Sequence, residues 1–403
     1  MDYSSVSKDL TSKLSKSVKQ DNGIYFTPPS CVKRNIILLE PYINDSINIL
    51  EPSCGSGEYI TALHNRFPNI NITGIEYNDT IYQSITQLNN DKINIISMNY
   101  LKYETNKKYG LIIGNPPYYV MKKSEVDKYY HPYFEGRPNI FILFIIKSIQ
   151  LLNDNGILSF ILPKNFLNCL YYDKTRKYIV EHFQILNIID CNDDKYLETQ
   201  QDTIILIIQK TLNNNNDAFV LENNTYTIFS TEENKIKMTT LYENSSSLLE
   251  LGFKVSVGTV VWNQCKDLLT DDGTKTRLIY SSDIINNTLI QKKYKSELKK
   301  NFINKPGINR PMIVINRGYG VGEYKFNYCL IDLSYNYLIE NHLICIEYND
   351  ELPHDELVIL YNKIIKSLTS KKTVEFIKLY FGNNAINTTE LNCILPIFQD
   401  ISN

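Results

Sequence analysis

The sequence predicts an α/β protein whose first half is a mostly parallel sheet with helices on both faces, followed by a separate α+β region. Three observations predict it. Short apolar runs alternate with helical patterns from about residue 30 to 210, as strand–helix–strand units do. Two of those runs end abruptly in glycine-rich or two-proline turns. After the polar stretch Glu243-Asn244-Ser245-Ser246-Ser247 the regular alternation stops.

Residues 1–20 are polar and are expected to be mobile or weakly helical. Strands are expected near 47–50, 71–75, 93–97, 110–113, 156–161, 185–190 and 203–209. Each is a short run rich in Ile and Leu, the pattern of strands buried on both faces. Asn213-Asn214-Asn215-Asn216-Asp217 reads as a surface loop, and 218–250 as a hairpin and bridging segment. A chain of 403 residues is long enough for two or three domains with ample core.

The first informative turn is Glu51-Pro52-Ser53-Cys54-Gly55-Ser56-Gly57, which follows Ile49-Leu50 and leads into a helical pattern. In a doubly wound sheet this first strand-to-helix turn is where nucleotide-like ligands sit, and glycines let the backbone approach them. The Gly-Lys-Ser/Thr ending of a phosphate loop is missing, which argues against ATP. A lone Gly-x-Gly is weak evidence. It gains weight from Ile72-Thr73-Gly74-Ile75-Glu76, a strand that ends in an acid able to grip the two hydroxyls of a ribose. Glu51 is either a turn residue or a neighbour of a ligand's ammonium group, and Cys54 is a small packing residue of the turn.

The second turn is Asn115-Pro116-Pro117-Tyr118, directly after Leu111-Ile112-Ile113-Gly114. Proline fixes φ and restricts the residue before it. The loop therefore presents an amide, a proline-flanked carbonyl and an aromatic ring in one rigid cluster. Such a cluster suits a flat, weakly nucleophilic amine. The Asn115 oxygen and the Pro116 carbonyl can accept its two protons, and the Tyr118 ring can stack on the heterocycle that carries it.

Together these residues resemble the S-adenosylmethionine-dependent amino-methyltransferases of DNA, above all the gamma-class adenine-N6 enzymes of restriction–modification systems. That family has a Thr-Pro-Pro element, the Gly-rich turn, the ribose acid, Asn-Pro-Pro-Tyr and then a target-recognition domain. The chain carries Thr27-Pro28-Pro29, Gly136-Arg137-Pro138-Asn139 and Gly156–Pro163 in matching places. The resemblance covers 20–210 well and continues loosely to Gly382-Asn383-Asn384 and Leu395-Pro396. It implies a Rossmann-like methyltransferase domain with a mostly parallel seven-stranded sheet over 1–240, a linker over 241–250 and an α+β target-recognition domain over 251–403.

The resemblance also assigns residues. Thr27, Glu51, Cys54, Gly55, Gly57, Glu76, Asn99 and Asn115 would face the cofactor. Asn115, Pro116 and Tyr118 would carry catalysis, with Tyr118 and Tyr172 as aromatic walls for a flipped-out adenine and Tyr171 or Phe166 as the fallback. Asn99 stands where the family usually has an acid that reads the cofactor's adenine. An amide oxygen can accept that hydrogen bond without charge, and Asp91 and Glu104 are alternatives.

Composition adds limits. The eight cysteines are scattered and form no Cys-x-x-Cys pair, so no metal site is expected and a reducing compartment is. Ile140–Ile146 is too short an apolar run to span a membrane, and the polar start is no secretory signal, so a cytoplasmic location is expected. The net charge is −2, yet residues 252–330 hold thirteen Lys/Arg against six Asp/Glu. That basic segment is a candidate electrostatic footprint for double-stranded DNA. Lys292, Lys293, Arg310 and Arg317 are its candidate contacts, the arginines flanking the strand Met312–Ile315 ahead of the loop Gly318–Gly322. The lone Trp262 reads as core packing. A monomer is expected, and a separately encoded restriction endonuclease is a partner the resemblance allows.

Two other classes compete. A protein glutamine N5-methyltransferase uses the same Asn-Pro-Pro-Tyr chemistry, but that family places a helical domain before the catalytic one, whereas here the long extension follows it. A catalytically inactive DNA-binding module is disfavoured by the intact Asn115 cluster. Cytosine amino methylation is a variant of the main reading that Asn115, rather than serine, disfavours.

Overall fold

The computed structural model describes residues 3–191, 196–199, 201–212, 214–223, 226–294, 298–316, 326–380 and 386–398. The chain divides into two compact units, Met1–Lys235 and Ile236–Asn403.

The first unit is built on seven strands: β1 (Asn48–Glu51), β2 (Asn71–Glu76), β3 (Ile93–Ser97), β4 (Tyr109–Gly114), β5 (Leu152–Pro163), β6 (Gln184–Asp190) and β7 (Thr203–Gln209). Their order is β3-β2-β1-β4-β5-β7-β6, and β7 runs antiparallel to both its neighbours. Strand order reverses between β1 and β4, whose carboxyl ends flank the crevice where open α/β sheets bind ligands.

The apolar runs bury two faces at once, because successive side chains point to opposite sides of a sheet. Leu50, Ile112, Leu158, Phe160 and Leu206 join one core with helix α5 (Ile140–Leu151), whose side chains are almost all buried. Ile49, Leu111, Ile113, Ile157 and Ile207 join the other, with α3 (Pro29–Leu39) and α4 (Glu58–Arg66). This two-sided burial is why the strands read as continuous apolar runs. β5 begins earlier than expected because Asn153-Asp154-Asn155 hides its start; Asn155 sits at φ 60°.

Residues 3–20 are more ordered than their polar composition predicts. α1 (Ser5–Lys13) and α2 (Lys16–Asn22) start at Ser4 and Ser15, whose hydroxyls cap the amides of Ser7 and Val18. Leu10 and Leu14 then bury themselves against Phe26 and Ile81. Serine caps and two leucines are enough to fix short helices that propensity alone would leave marginal. The hairpin Val220–Asn223/Tyr226–Phe229 follows the sheet.

The second unit is α+β. One four-stranded sheet orders Phe253–Val257, Leu343–Tyr348, Met312–Asn316 and Tyr328–Ile331. Another orders Leu269–Thr270, Phe302–Ile303, Thr276–Ile279 and Tyr337–Ile339. Helices His354–Leu368, Lys371–Tyr380 and Thr388–Cys393 complete it. Residues 241–250 carry structure of their own: the helix Glu232–Tyr242 ends there, and Ser245-Ser246 pairs with Ile397-Phe398.

Candidate active site

The site lies in the first unit, at the carboxyl ends of β1, β2 and β4. Gly55 and Gly57 take φ of 51° and 77°, left-handed values that side chains disfavour. They turn the chain from β1 into α4. The carboxylate of Glu76, at the end of β2, accepts from Gly55 N at 2.9 Å and from Asn78 N at 2.8 Å. Backbone amides thus hold the acid against the turn. Burial nevertheless raises the Glu76 pKa above the ordinary carboxylate value.

Glu51 is buried at 3 % exposure, and its Oε2 has no hydrogen-bond partner. Desolvation, then the charges of Glu76 and Glu58, push its pKa well up. These acids line a cavity of about 260 Å³, together with residues of 22–27, the Gly-rich turn, Tyr77, Asn78 and Asn99. Unpaired acid in a polar-walled cavity suits a ligand bearing positive charge and ribose hydroxyls. S-adenosylmethionine, with its ammonium and sulfonium groups, meets that description.

Asn115 forms the cavity's far wall. Its Nδ2 donates to the Tyr25 carbonyl at 3.1 Å and to Thr27 Oγ1 at 3.2 Å. Its Oδ1 lies 2.6 Å from the Tyr118 hydroxyl, which is also 2.9 Å from the Ile161 carbonyl. Its main-chain oxygen accepts from Ser53 Oγ at 3.2 Å. The two-proline loop is thereby tied to β5, to the Gly-rich turn and to the segment before α3. Neither Ser53 nor the Tyr25 carbonyl was visible as a site group in the sequence; a backbone carbonyl leaves no compositional signal.

Of the residues expected to face the cofactor, Thr27, Glu51, Cys54, Gly55, Glu76, Asn99 and Asn115 line this cavity. Gly57 does not; it stands one step behind the wall as the N-cap of α4. Asn99 Oδ1 accepts from Leu101 N at 2.9 Å, capping a short turn at the cavity edge. The alternatives Asp91 and Glu104 are exposed and stand off the wall. Tyr77, 66 % exposed on the rim, was not anticipated.

Pro116 is buried, and Tyr118 turns away from the cavity to meet the Phe141 ring edge-on at 6.0 Å. Tyr172 meets the same Phe141 at 5.1 Å and stacks near Phe166 at 6.1 Å. Tyr172 is 7 % exposed and Phe166 fully buried, whereas Tyr171 is 59 % exposed and rests against Gly136. The loop that carries these rings is tied down from beneath. Arg176, fully buried, donates to the carbonyls of Phe166, Cys169 and Thr227.

In the second unit, Lys292 and Lys293 are exposed. The Arg310 guanidinium donates to the Asp350 carbonyl. Arg317 and the loop Gly318–Gly322 lie outside the described residues, as do Lys295 and Gly382-Asn383-Asn384. Two lysines of the basic run are engaged internally. Lys299 sits over the rings of Tyr280 and Tyr294 at 4.0 and 4.4 Å, and Lys300 pairs with Asp271 at 2.5 Å. Trp262 packs beside Val260, Leu278 and Tyr280, consistent with a core role. No helix among the described residues is long and apolar enough to cross a membrane.

The sheet and the crevice at its reversal define an α/β methyltransferase, and the acid-lined cavity fits its cofactor, S-adenosylmethionine. Residues 12–197 match the family described as Eco57I restriction-modification methylase. Over 97 % of its length the chain is 28 % identical to the type II methyltransferase M.CvrRI of Paramecium bursaria Chlorella virus XZ-6E, of which 98 % is covered. It is 26 % identical to the modification methylase CviBIII of Paramecium bursaria Chlorella virus NC1A, over 98 % of this chain and 99 % of that one. Among solved structures, a DrdV–DNA complex aligns with a TM-score of 0.53 at 11 % identity, covering 98 % of this chain and 57 % of that one, a likeness of fold. Along nearly its whole length the chain is thus similar to methyltransferases of the type II restriction–modification kind.

Proposed function

We propose that the chain methylates the exocyclic N6 of adenine in duplex DNA, at a site read by its second unit. The observation that carries this reading is the Asn115 amide. Both protons of its nitrogen have acceptors in the Tyr25 carbonyl and Thr27, so its oxygen is the end left for a substrate amine. The bound cofactor supplies a methyl group on a positively charged sulfur.

The adenine amine is a poor nucleophile because its lone pair is delocalised into the ring. Asn115 Oδ1 and the Pro116 carbonyl accept its two protons, which favours a more tetrahedral nitrogen that can attack. A base inside a duplex cannot reach this loop, so it is flipped out. Tyr118 and Tyr172 wall the pocket, with Phe141 between them, and stacking recovers about 1–3 kcal/mol of the unstacking cost. Glu76 holds the ribose, Glu51 faces the ammonium, and Asn99 reads the cofactor's adenine.

In the second unit, Lys292 and Lys293 contact phosphates, while Arg310 and Arg317 contact base edges or phosphates. Nucleoside analysis of amplified, and so unmodified, DNA after incubation with the protein and S-adenosylmethionine tests this reading. N6-methyladenine is expected; N4-methylcytosine, or no modified base, would refute adenine specificity.

A further inference from the structure

Asn115 has two ends of nearly equal size and opposite chemistry. Only its oxygen can accept a proton from an amine, so an amide turned by half a rotation would present a donor to a donor. Something must select the orientation. The Tyr25 carbonyl can only accept, so the nitrogen must face it. The Thr27 hydroxyl lies on the same side at 3.2 Å and is buried, 7 % exposed. With Nδ2 occupied by both, Oδ1 is left facing the Tyr118 hydroxyl at 2.6 Å, with a second lone pair free.

Both acceptors belong to one short segment. That segment lines the cofactor cavity from Asn22 to Thr27. It also presses on the catalytic loop. Gly23 sits at φ 62°, and a Cβ there would stand 2.5 Å from Tyr118 N. Cofactor wall and catalytic loop therefore meet without slack, and Thr27 touches both.

We propose that Thr27 is a positioning residue for methyl transfer: its hydroxyl holds the Asn115 amide with the oxygen toward the substrate amine. The inference rests on the amine-methylating reading of the site, but not on which base is methylated. It differs from a plain cofactor contact, because Thr27 then acts on the transfer step rather than on cofactor affinity.

The test compares Thr27→Val and Thr27→Ala, which lose the hydroxyl, with Thr27→Ser, which keeps it. Turnover is measured on amplified, unmodified DNA, and cofactor affinity by calorimetry with S-adenosylmethionine alone. Losing one of two hydrogen bonds to the amide should lower kcat on the order of tenfold. The cofactor Kd should stay within about twofold, and serine should restore most of the rate. Thr27→Ala covers the case in which valine disturbs folding, with thermal unfolding as the check. Equal kcat in alanine and serine variants overturns the inference. So does a loss of kcat matched by an equal loss of cofactor affinity, which would make Thr27 a cofactor ligand. A wild type that modifies no DNA overturns this inference together with the reading beneath it, whereas an active wild type with unaffected variants overturns this inference alone.

Discussion

The Tyr118 hydroxyl lies 2.6 Å from Asn115 Oδ1, so the ring that would stack on a base and the oxygen that would accept its proton are locked into one unit. The hydroxyl is not required for either task. Tyr118→Phe should therefore keep turnover within about tenfold of wild type, whereas Tyr118→Ala should lose the stacking term of about 1–3 kcal/mol as well. Steady-state kinetics on DNA checks the order. Equal damage from both substitutions would place the hydroxyl, rather than the ring, at the centre of Tyr118's role.

The buried acids make cofactor binding pH-dependent. Glu51 and Glu76 both have raised pKa values in the protein without cofactor, chiefly through desolvation. A raised folded-state pKa contributes stability that is fully present below the unfolded value of about 4.3 and is lost as pH rises through the folded value. A bound cation reverses that preference by favouring the charged acids. Affinity for S-adenosylmethionine should thus strengthen as pH rises above the ordinary carboxylate range, with release of protons on binding. Calorimetry in buffers of different ionisation enthalpy measures this release. Proton uptake, or affinity independent of pH, would mean the acids do not face the cationic groups.

Glu76→Ala should weaken cofactor binding, because charge-assisted hydrogen bonds to two hydroxyls are lost. Asn99→Asp should strengthen it by adding charge at the acceptor for the adenine amino group, while keeping the cap on Leu101 N. Weaker binding in Asn99→Asp would remove Asn99 from that role.

The central strands were legible because they bury both faces and so read as unbroken apolar runs, and the edge strands β3 and β6, open on one face, by their shorter isoleucine-rich runs. Thr203–Gln209 matches its expected range, and Leu152 was missed only because polar Asn153-Asp154-Asn155 follows it. The Gly-rich turn and Glu76 were legible as a pair, since the spacing of strand, turn and acid is local. The ordering of the segment around α1 and α2 was not, because it depends on Leu10 and Leu14 meeting Phe26 and Ile81 across the chain. Nor was the engagement of Lys299, whose aromatic partners come together only in the folded second unit. The task of Arg176, holding three carbonyls, is likewise a tertiary fact.

Exposed Lys292 and Lys293 should act through phosphates. Replacing both with glutamine should weaken binding to every duplex alike and reduce the slope of log affinity against log salt by up to about 2, since each phosphate contact contributes roughly 0.9. Binding curves over a salt series check it. A loss confined to one DNA sequence would instead make these lysines readers of bases.

The central claim is that the Asn115 oxygen activates the amine, and Asn115→Ala tests it most directly. Turnover on unmodified DNA should fall by on the order of a hundredfold or more, the usual cost of one lost transition-state contact. Calorimetric affinity for S-adenosylmethionine should stay near wild type, because Glu51, Glu76 and the Gly-rich turn remain. Turnover above about a tenth of wild type, set against that expected hundredfold loss, would contradict the account.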